Sequence, residues 1–203
     1  MAYIGNFPSS PGFSAVNFKM NTTTKRTTAA SGRIIRATNS TTLWSGTLAF
    51  PVMSLTEFRP IQGFIAQTDG GLNEFDIVIP TVSVSQSSYA SVLSATVDGA
   101  HTAGDETINI SSNVPNQSIL KAGDIVRFAN HTKVYMVTSD INSDGSGDAV
   151  LNIKPGLVEA LVDTESITTT NVPFRMILSN DVQEFSYRTD NRIAYEIDIE
   201  ETI

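Results

Sequence analysis

The chain has 203 residues and no cysteine, which excludes disulfides, a thiol nucleophile and zinc thiolate sites and leaves packing to supply stability. That length suffices for one large β domain or two small ones. A net charge of −8 and a pI near 4.6 argue against nucleic acid as a partner, because phosphate binding needs a basic footprint. No run approaches the roughly 18 apolar residues of a membrane span. Met1 to Gly12 also lacks the basic start and apolar core of a secretory signal, so a soluble protein without membrane insertion is expected.

In chain order, Met1 to Pro11 reads as an irregular arm suited to docking on a neighbour, with Gly5, Pro8 and Pro11 interrupting it. Ala15 to Met20 alternates Val16, Phe18 and Met20 with Asn17 and Lys19, the period of a half-buried strand. The Thr-rich stretch Asn21 to Ser31 reads as a loop, followed by strands at Gly32 to Thr38 and Leu43 to Val52. Ser54-Leu55-Thr56-Glu57 matches a capping box, in which the Ser hydroxyl and the Glu carboxylate satisfy amide donors at a helix start. A helix near 56–69 is therefore expected, with Phe58, Ile61, Phe64 and Ile65 as its apolar face and Gly70-Gly71 as its stop. Pro60 leaves two starts open: near Arg59 with Pro60 in the first turn, or one short turn ahead of a kink.

Glu74 to Pro80 follows as a strand with Phe75, Ile77 and Ile79 on one face, and Thr81 to Ser94 as a crossing linker or an edge strand. Leu120 to Thr138 forms a hairpin: a polar Lys121-Ala122-Gly123-Asp124 turn enters strand Ile125 to Ala129, and Asn130-His131 turns it back into Lys133 to Thr138. Thr107 to Ile110 and Ala149 to Ile153 complete a run of short strands spaced as in a small barrel. Phe174 to Leu178, Glu184 to Arg188 and Ile193 to Ile199 close the chain. The simplest topology is mainly β: a discontinuous, β-sandwich-like domain with one helix, residues 1–82 and 170–203, interrupted by a barrel at 83–169.

Few residues suggest chemistry. Asp140, Asn142, Asp144 and Gly145 match the opening of a calcium loop, with Asp148 as a further oxygen donor, but position twelve of that template is Leu151. A solvated hairpin turn is the simpler reading there. His101 and His131 are the only histidines and have no metal-ligand spacing, no G-x-S-x-G elbow occurs, and no glycine-rich loop precedes Lys-Ser or Lys-Thr. Neither a cofactor nor catalysis is expected. The sequons Asn21-Thr22-Thr23, Asn39-Ser40-Thr41 and Asn130-His131-Thr132 are what chance supplies in a chain rich in Asn, Ser and Thr.

The element order, with K-A-G-D-I-V-R-F and H-T-K-V-Y-M-V-T in the barrel and V-P-F-R-M-I-L where the outer domain resumes, resembles the distal tail protein (Dit) family of long-tailed bacteriophages. It looks most like the compact members from siphophages of Gram-negative hosts, whose inserted domain is an OB-type barrel. The resemblance implies a structural virion protein of the tail tip or baseplate, assembled in the host cytoplasm. Copies would form a ring, a homohexamer, joining the tail tube protein to the hub and to fibre or receptor-binding proteins. It implies no catalytic residues. The alternative is a carbohydrate or receptor-binding module, for which the inserted segment offers only Tyr89, Phe128 and Tyr135 as stacking aromatics.

Charge is unevenly placed. Up to Thr68 the chain carries Lys19, Lys25, Arg26, Arg33, Arg36 and Arg59 against Glu57 alone, a net +5, and the remainder carries −13. Either the surface is merely solvated, or copies and partners meet head to tail. At the acidic end Ile197 and Ile199 alternate with Glu196, Asp198 and Glu200, which puts the carboxylates on one face. In a ring these three are expected to border the lumen, where they would keep passing DNA off the wall.

Overall fold

The computed structural model describes residues 1–203 apart from the side chains of residues 39–41, so the Asn39-Ser40-Thr41 sequon lies outside the described residues. In chain order the elements begin β1 (Tyr3–Asn6), β2 (Ala15–Thr28), β3 (Ile34–Ala49) and β4 (Met53–Ser54), then helix α1 (Leu55–Thr68) and β5 (Glu74–Val78). There follow β6 (Ala95–Val97), β7 (Thr107–Ser112), β8 (Ser118–Leu120), β9 (Ile125–Phe128), β10 (Tyr135–Val137), β11 (Ile141–Asn142), β12 (Asp148–Lys154) and β13 (Ser166–Thr168). The last are β14 (Pro173–Leu178), β15 (Ser186–Tyr187), β16 (Arg192–Ala194) and β17 (Glu196–Glu201). The fold is mainly β. Two compact units divide it: residues 1–19, 44–84 and 171–203 in one, 20–43 and 85–170 in the other.

The first unit is sandwich-like and built on a sheet ordered β1-β5-β14-β17-β3-β2, with a three-stranded sheet β15-β16-β4 beside the helix. Its N-terminal arm is irregular except at Tyr3–Asn6, where β1 adds to the sheet edge parallel to β5, and Phe7 then enters a cluster with Phe50, Phe64 and Phe75. The helix runs unbroken from Leu55, with Ser54 as N-cap and both arms of the capping box formed, and Pro60 inside it. Pro60 lies far enough into the helix to remove one backbone bond, to the Thr56 carbonyl, and the apolar face compensates by packing. Phe58 and Ile61 are fully buried, and Phe64 meets Phe75 edge to face at 5.6 Å. Each such aromatic contributes roughly 1.5–3 kcal/mol by burial.

The Thr-rich stretch is also strand. β2 and β3 run 14 and 16 residues, so the expected loop and the expected break between two strands are one continuous ribbon. β-Branched threonines favour extended backbone even where neither face is buried, and such a ribbon shows no alternation to read. Toward the C-terminus the expected strand at Glu184 to Arg188 is only Ser186–Tyr187, and the expected final strand divides into β16 and β17.

The second unit holds a closed six-stranded barrel, β10-β12-β7-β6-β13-β9, closed where β9 pairs with β10 at Val126 and Tyr135. An OB barrel has five strands, so the closure here is one strand larger. Its core includes Ile108, Ile110, Phe128, Tyr135, Val137, Leu151 and Ile153. Val134 is equally buried but stands outside that core, because Tyr135 and Val137 occupy the inward positions of β10. Thr81 to Ser94 forms turns rather than a strand, and its serines are used: Ser85 and Ser87 are both buried.

Candidate functional site

The outward face of the first unit's sheet carries its charge. Cross-strand register places Glu196 opposite Ala49, Asp198 opposite Thr47 and Glu200 opposite Ser45, so the three carboxylates stand on one face of β17. Glu196 and Glu200 are exposed, while Asp198 is held by Thr47 Oγ1 at 2.6 Å and by Asn180 Nδ2 at 3.0 Å, both donating to it. Ile197 and Ile199 face the core, and so does Glu201, which accepts the Trp44 N–H at 3.1 Å. Glu196 and Asp198 also line a polar cleft of about 450 Å³ with Asn180, Gln183, Glu184 and Tyr195.

Further along the same face, Arg175 donates through Nε to Asp76 at 2.7 Å and approaches Glu74 at 3.5 Å, while its guanidinium lies 4.2 Å from the centre of the Tyr3 ring. The Tyr3 hydroxyl donates to Asp76 at 3.2 Å. Burial opposes the Arg175 charge, yet Asp76 and Glu74 outweigh it and raise its pKa. This cluster fastens the N-terminal strand to the sheet. No local motif announces it, since Tyr3 lies 73 residues from Asp76, and Arg175 lies 99 from Asp76 and 101 from Glu74.

In the barrel unit the polar groups serve turns. Asp124 is buried and accepts from Ser85 Oγ at 2.6 Å, Gln86 N at 2.9 Å and Lys121 N at 2.9 Å, which ties the entering segment to the Lys121–Asp124 turn. Asp140 belongs to that same turn, accepting from Ala122 N at 3.0 Å and Lys121 Nζ at 3.3 Å, and these two bonds hold its carboxyl below the ordinary range. Asp144 instead caps its own hairpin, accepting from Ser146 N and Asp148 N at 2.8 and 3.0 Å. Asn142 is exposed on β11, and Asp148 opens β12 with an exposed side chain. Of the motif's side chains, Asp140 and Asp144 are thus engaged in two separate turns, while Asn142 and Asp148 stand exposed. Among the described residues no group of three His, Asp or Glu side chains is placed to share an ion.

The two histidines are structural. His101 Nε2 accepts the Asn109 N–H at 3.1 Å, and His131 lies buried with Nδ1 2.8 Å from the Tyr135 hydroxyl. Phe128 and Tyr135 are fully buried and offer no open stacking face, and Tyr89 is partly buried against the barrel core. No helix among the described residues is long and apolar enough to cross a membrane.

Residues 90–172 match the family model described as Distal tail protein pb9, B domain. The match covers under half of the chain and takes in every barrel strand from β6 to β13. No curated protein matches the chain. The likeness is thus between this chain's barrel segment and the B domain of a phage distal tail protein.

Proposed function

We propose that the chain is a ring-forming adaptor of the phage tail tip. Six copies surround the end of the tail tube, join the tube protein to the hub, and carry the fibres or receptor-binding apparatus. The observation behind this reading is the barrel itself: a closed unit matching a distal tail protein B domain, set between two parts of a sheet-based unit. In this role the first unit makes the ring and the barrel projects a contact surface to other tail proteins. Assembly takes place in the host cytoplasm and involves no membrane insertion, and no step of chemistry is assigned to any residue. The carbohydrate reading gains nothing from the barrel, whose aromatics are spent on packing.

Gold-labelled antibody against the chain, imaged on negatively stained virions, should mark the distal end of the tail. Label spread along the tube, or absent from virions, would overturn the proposal.

A further inference from the structure

One edge of β5 is only partly covered. β1 runs beside it from Tyr3 opposite Glu74 to Asn6 opposite Asp76, the Phe7 N–H then donates to the Asp76 carbonyl at 2.8 Å, and the chain leaves the sheet at Pro8. β5 itself continues to Val78. Alternate residues of a strand direct their N–H and C=O to the same side, and on the β1 side the Glu74 N–H meets the Ala2 carbonyl at 2.9 Å, as the Asp76 carbonyl meets Phe7. Val78 shares that direction. The pairing on the other side agrees, because Val78 stands opposite Pro173, which has no N–H to exchange. No hydrogen bond to the Val78 N–H or C=O occurs among the described residues, and Val78 is 39% exposed, so this piece of strand edge is open.

A slot of about 490 Å³ lies at the same place, and all of its lining belongs to the first unit. That volume is in the ~300–1,000 Å³ range of ordinary ligand pockets. Asp76 and Val78 reach it from one face of β5 and Ile77 from the other, so the slot lies in the plane of the sheet, where a strand beside β5 would run. Phe7, Phe13 and Pro173 give it apolar walls. The one ionised side chain of the lining, Asp76, is already engaged: Arg175 Nε at 2.7 Å, Arg175 Nη2 at 3.4 Å and the Tyr3 hydroxyl at 3.2 Å all donate to it. The slot therefore has no charge to offer, and a charged occupant would lose hydration without gaining a partner.

We propose that this slot receives an extended, uncharged peptide segment of another protein, which adds beside β5 past Phe7 as a short strand. Its backbone takes the Val78 N–H and C=O, and an aliphatic side chain lies against Phe7, Phe13 and Ile77. From Ile77 to Pro80 the edge measures about 10 Å at ~3.3 Å per residue, so about three residues engage. A hydrocarbon tail fits worse, because it would seal the Val78 N–H and C=O from water with no partner. A helix fits worse too, since its backbone groups are spent within itself. A second copy is the poorer donor: this chain's own long exposed strand segments carry Lys19, Lys25 and Arg26 on β2 and Arg36 on β3. The inference goes beyond the ring reading and does not depend on it, because it uses only the edge of β5 and the residues around it.

The test follows the Val78 amide of the full chain by hydrogen exchange and amide chemical shift. In the chain alone it should exchange about tenfold or more faster than the Phe75 and Ile77 amides, which face β14. A Val78 amide already protected in dilute protein would show a paired edge and overturn the inference. The probe acetyl-Thr-Val-Thr-Val-Thr-amide should slow Val78 exchange and shift the Val78 and Phe13 resonances; no change at about 1 mM peptide would overturn it. Two further peptides, N-methylated at the Val amides or at the Thr amides, read the binding mode. Only one set faces β5, so one peptide should bind about tenfold more weakly and the other as before; equal binding by both would exclude strand addition. Replacing Val by Lys in the probe should also weaken binding about tenfold or more, and unchanged binding would overturn the uncharged occupant. Val78→Pro removes the edge donor without touching the β14 side, and Phe13→Ala removes a wall while keeping that donor. Each should weaken the probe about tenfold, and wild-type binding by either folded variant would overturn the inference. Val78 protection that grows with protein concentration alone would make a second copy the occupant and overturn the choice of partner.

Discussion

His131 Nδ1 lies 2.8 Å from the Tyr135 hydroxyl, and that same hydroxyl accepts the Val158 N–H at 3.1 Å. The hydroxyl oxygen thus joins the His131 ring and the Val158 amide in one buried hydrogen-bonded group, the direction of the His131–Tyr135 bond following the imidazole tautomer. Nε2 itself is buried and makes no hydrogen bond among the described residues. The pair fixes the end of β10 against the 157–161 segment without contributing any exposed chemistry.

Tyr135→Phe keeps the ring's packing and deletes the hydroxyl. It leaves the Val158 N–H and His131 Nδ1 unpaired in the interior, at a cost of about 1–3 kcal/mol. Urea unfolding of the full chain should show a lower midpoint with unchanged slope; an unchanged midpoint would mean that the hydroxyl is dispensable.

The same site sets a pH dependence. Burial holds His131 below its ordinary value of 6.5, against the opposing pull of Glu165, Glu159 and the Ala160 carbonyl. The unfolded chain therefore binds a proton at higher pH than the folded one, so stability is full above about 6.5 and falls as pH drops toward the depressed folded value. Urea midpoints measured from neutral to mildly acidic pH should fall in wild type and fall less in His131→Gln. Parallel curves for the two proteins would assign the acid sensitivity to other groups.

The parts legible in the sequence were those with local signals. Ser54 and Glu57 announce the helix three residues apart, and Phe58, Ile61, Phe64 and Ile65 show its buried face because both signals lie within a few turns. The hairpin of β9 and β10 was equally plain from its β-branched residues, and the acidic alternation at Glu196, Asp198 and Glu200 was readable from period two alone. The β2–β3 ribbon was not, since neither face is buried and alternation has nothing to record. β1 pairs with a strand about seventy residues on, and Tyr3 contributes to the Arg175 cluster through that pairing. Glu201 continues the acidic run by sequence yet points inward, because its partner is a backbone N–H 157 residues away.

Removing Arg175 should expose how much the N-terminal strand depends on it. Asp76 is mostly buried beneath it, so Arg175→Ala strands a carboxylate and costs about 3–5 kcal/mol. Replacing both Asp76 and Arg175 with apolar residues should cost less than the two single changes added together. Additive losses in a double-mutant cycle of urea unfolding would mean that the two side chains act independently.

Gly147 tests the β7–β12 pairing. Its backbone is left-handed at φ +94°, and a Cβ there would overlap the Ser112 carbonyl. Ser112 N also donates to the Gly147 carbonyl at 3.0 Å, so relief by moving the turn breaks the end of the pairing. Gly147→Ala should destabilise by more than about 1 kcal/mol, with amides of residues 108–112 losing protection from hydrogen exchange. Wild-type protection there would show that the turn relaxes without disturbing the strands.

The segment 85–170 should fold by itself. A closed barrel leaves no unpaired strand edge to be covered by the rest of the chain, and its apolar residues form their own core from Ala95 to Ile167. Its entry is fastened internally, since Ser85 and Gln86 both donate to Asp124. Its exit is paired as well, Ile167 of β13 standing opposite both Ala95 and Phe128. Expressed alone, the segment should give a dispersed amide spectrum with slow exchange on β7, β9 and β12 and a single cooperative unfolding transition. Asp124→Ala in the same segment removes the acceptor for three buried or half-buried donors, and should lower the transition while fraying residues 85–94 first. A collapsed, undispersed spectrum for the unsubstituted segment would show that the barrel needs the flanking unit, and would count against its being an inserted domain.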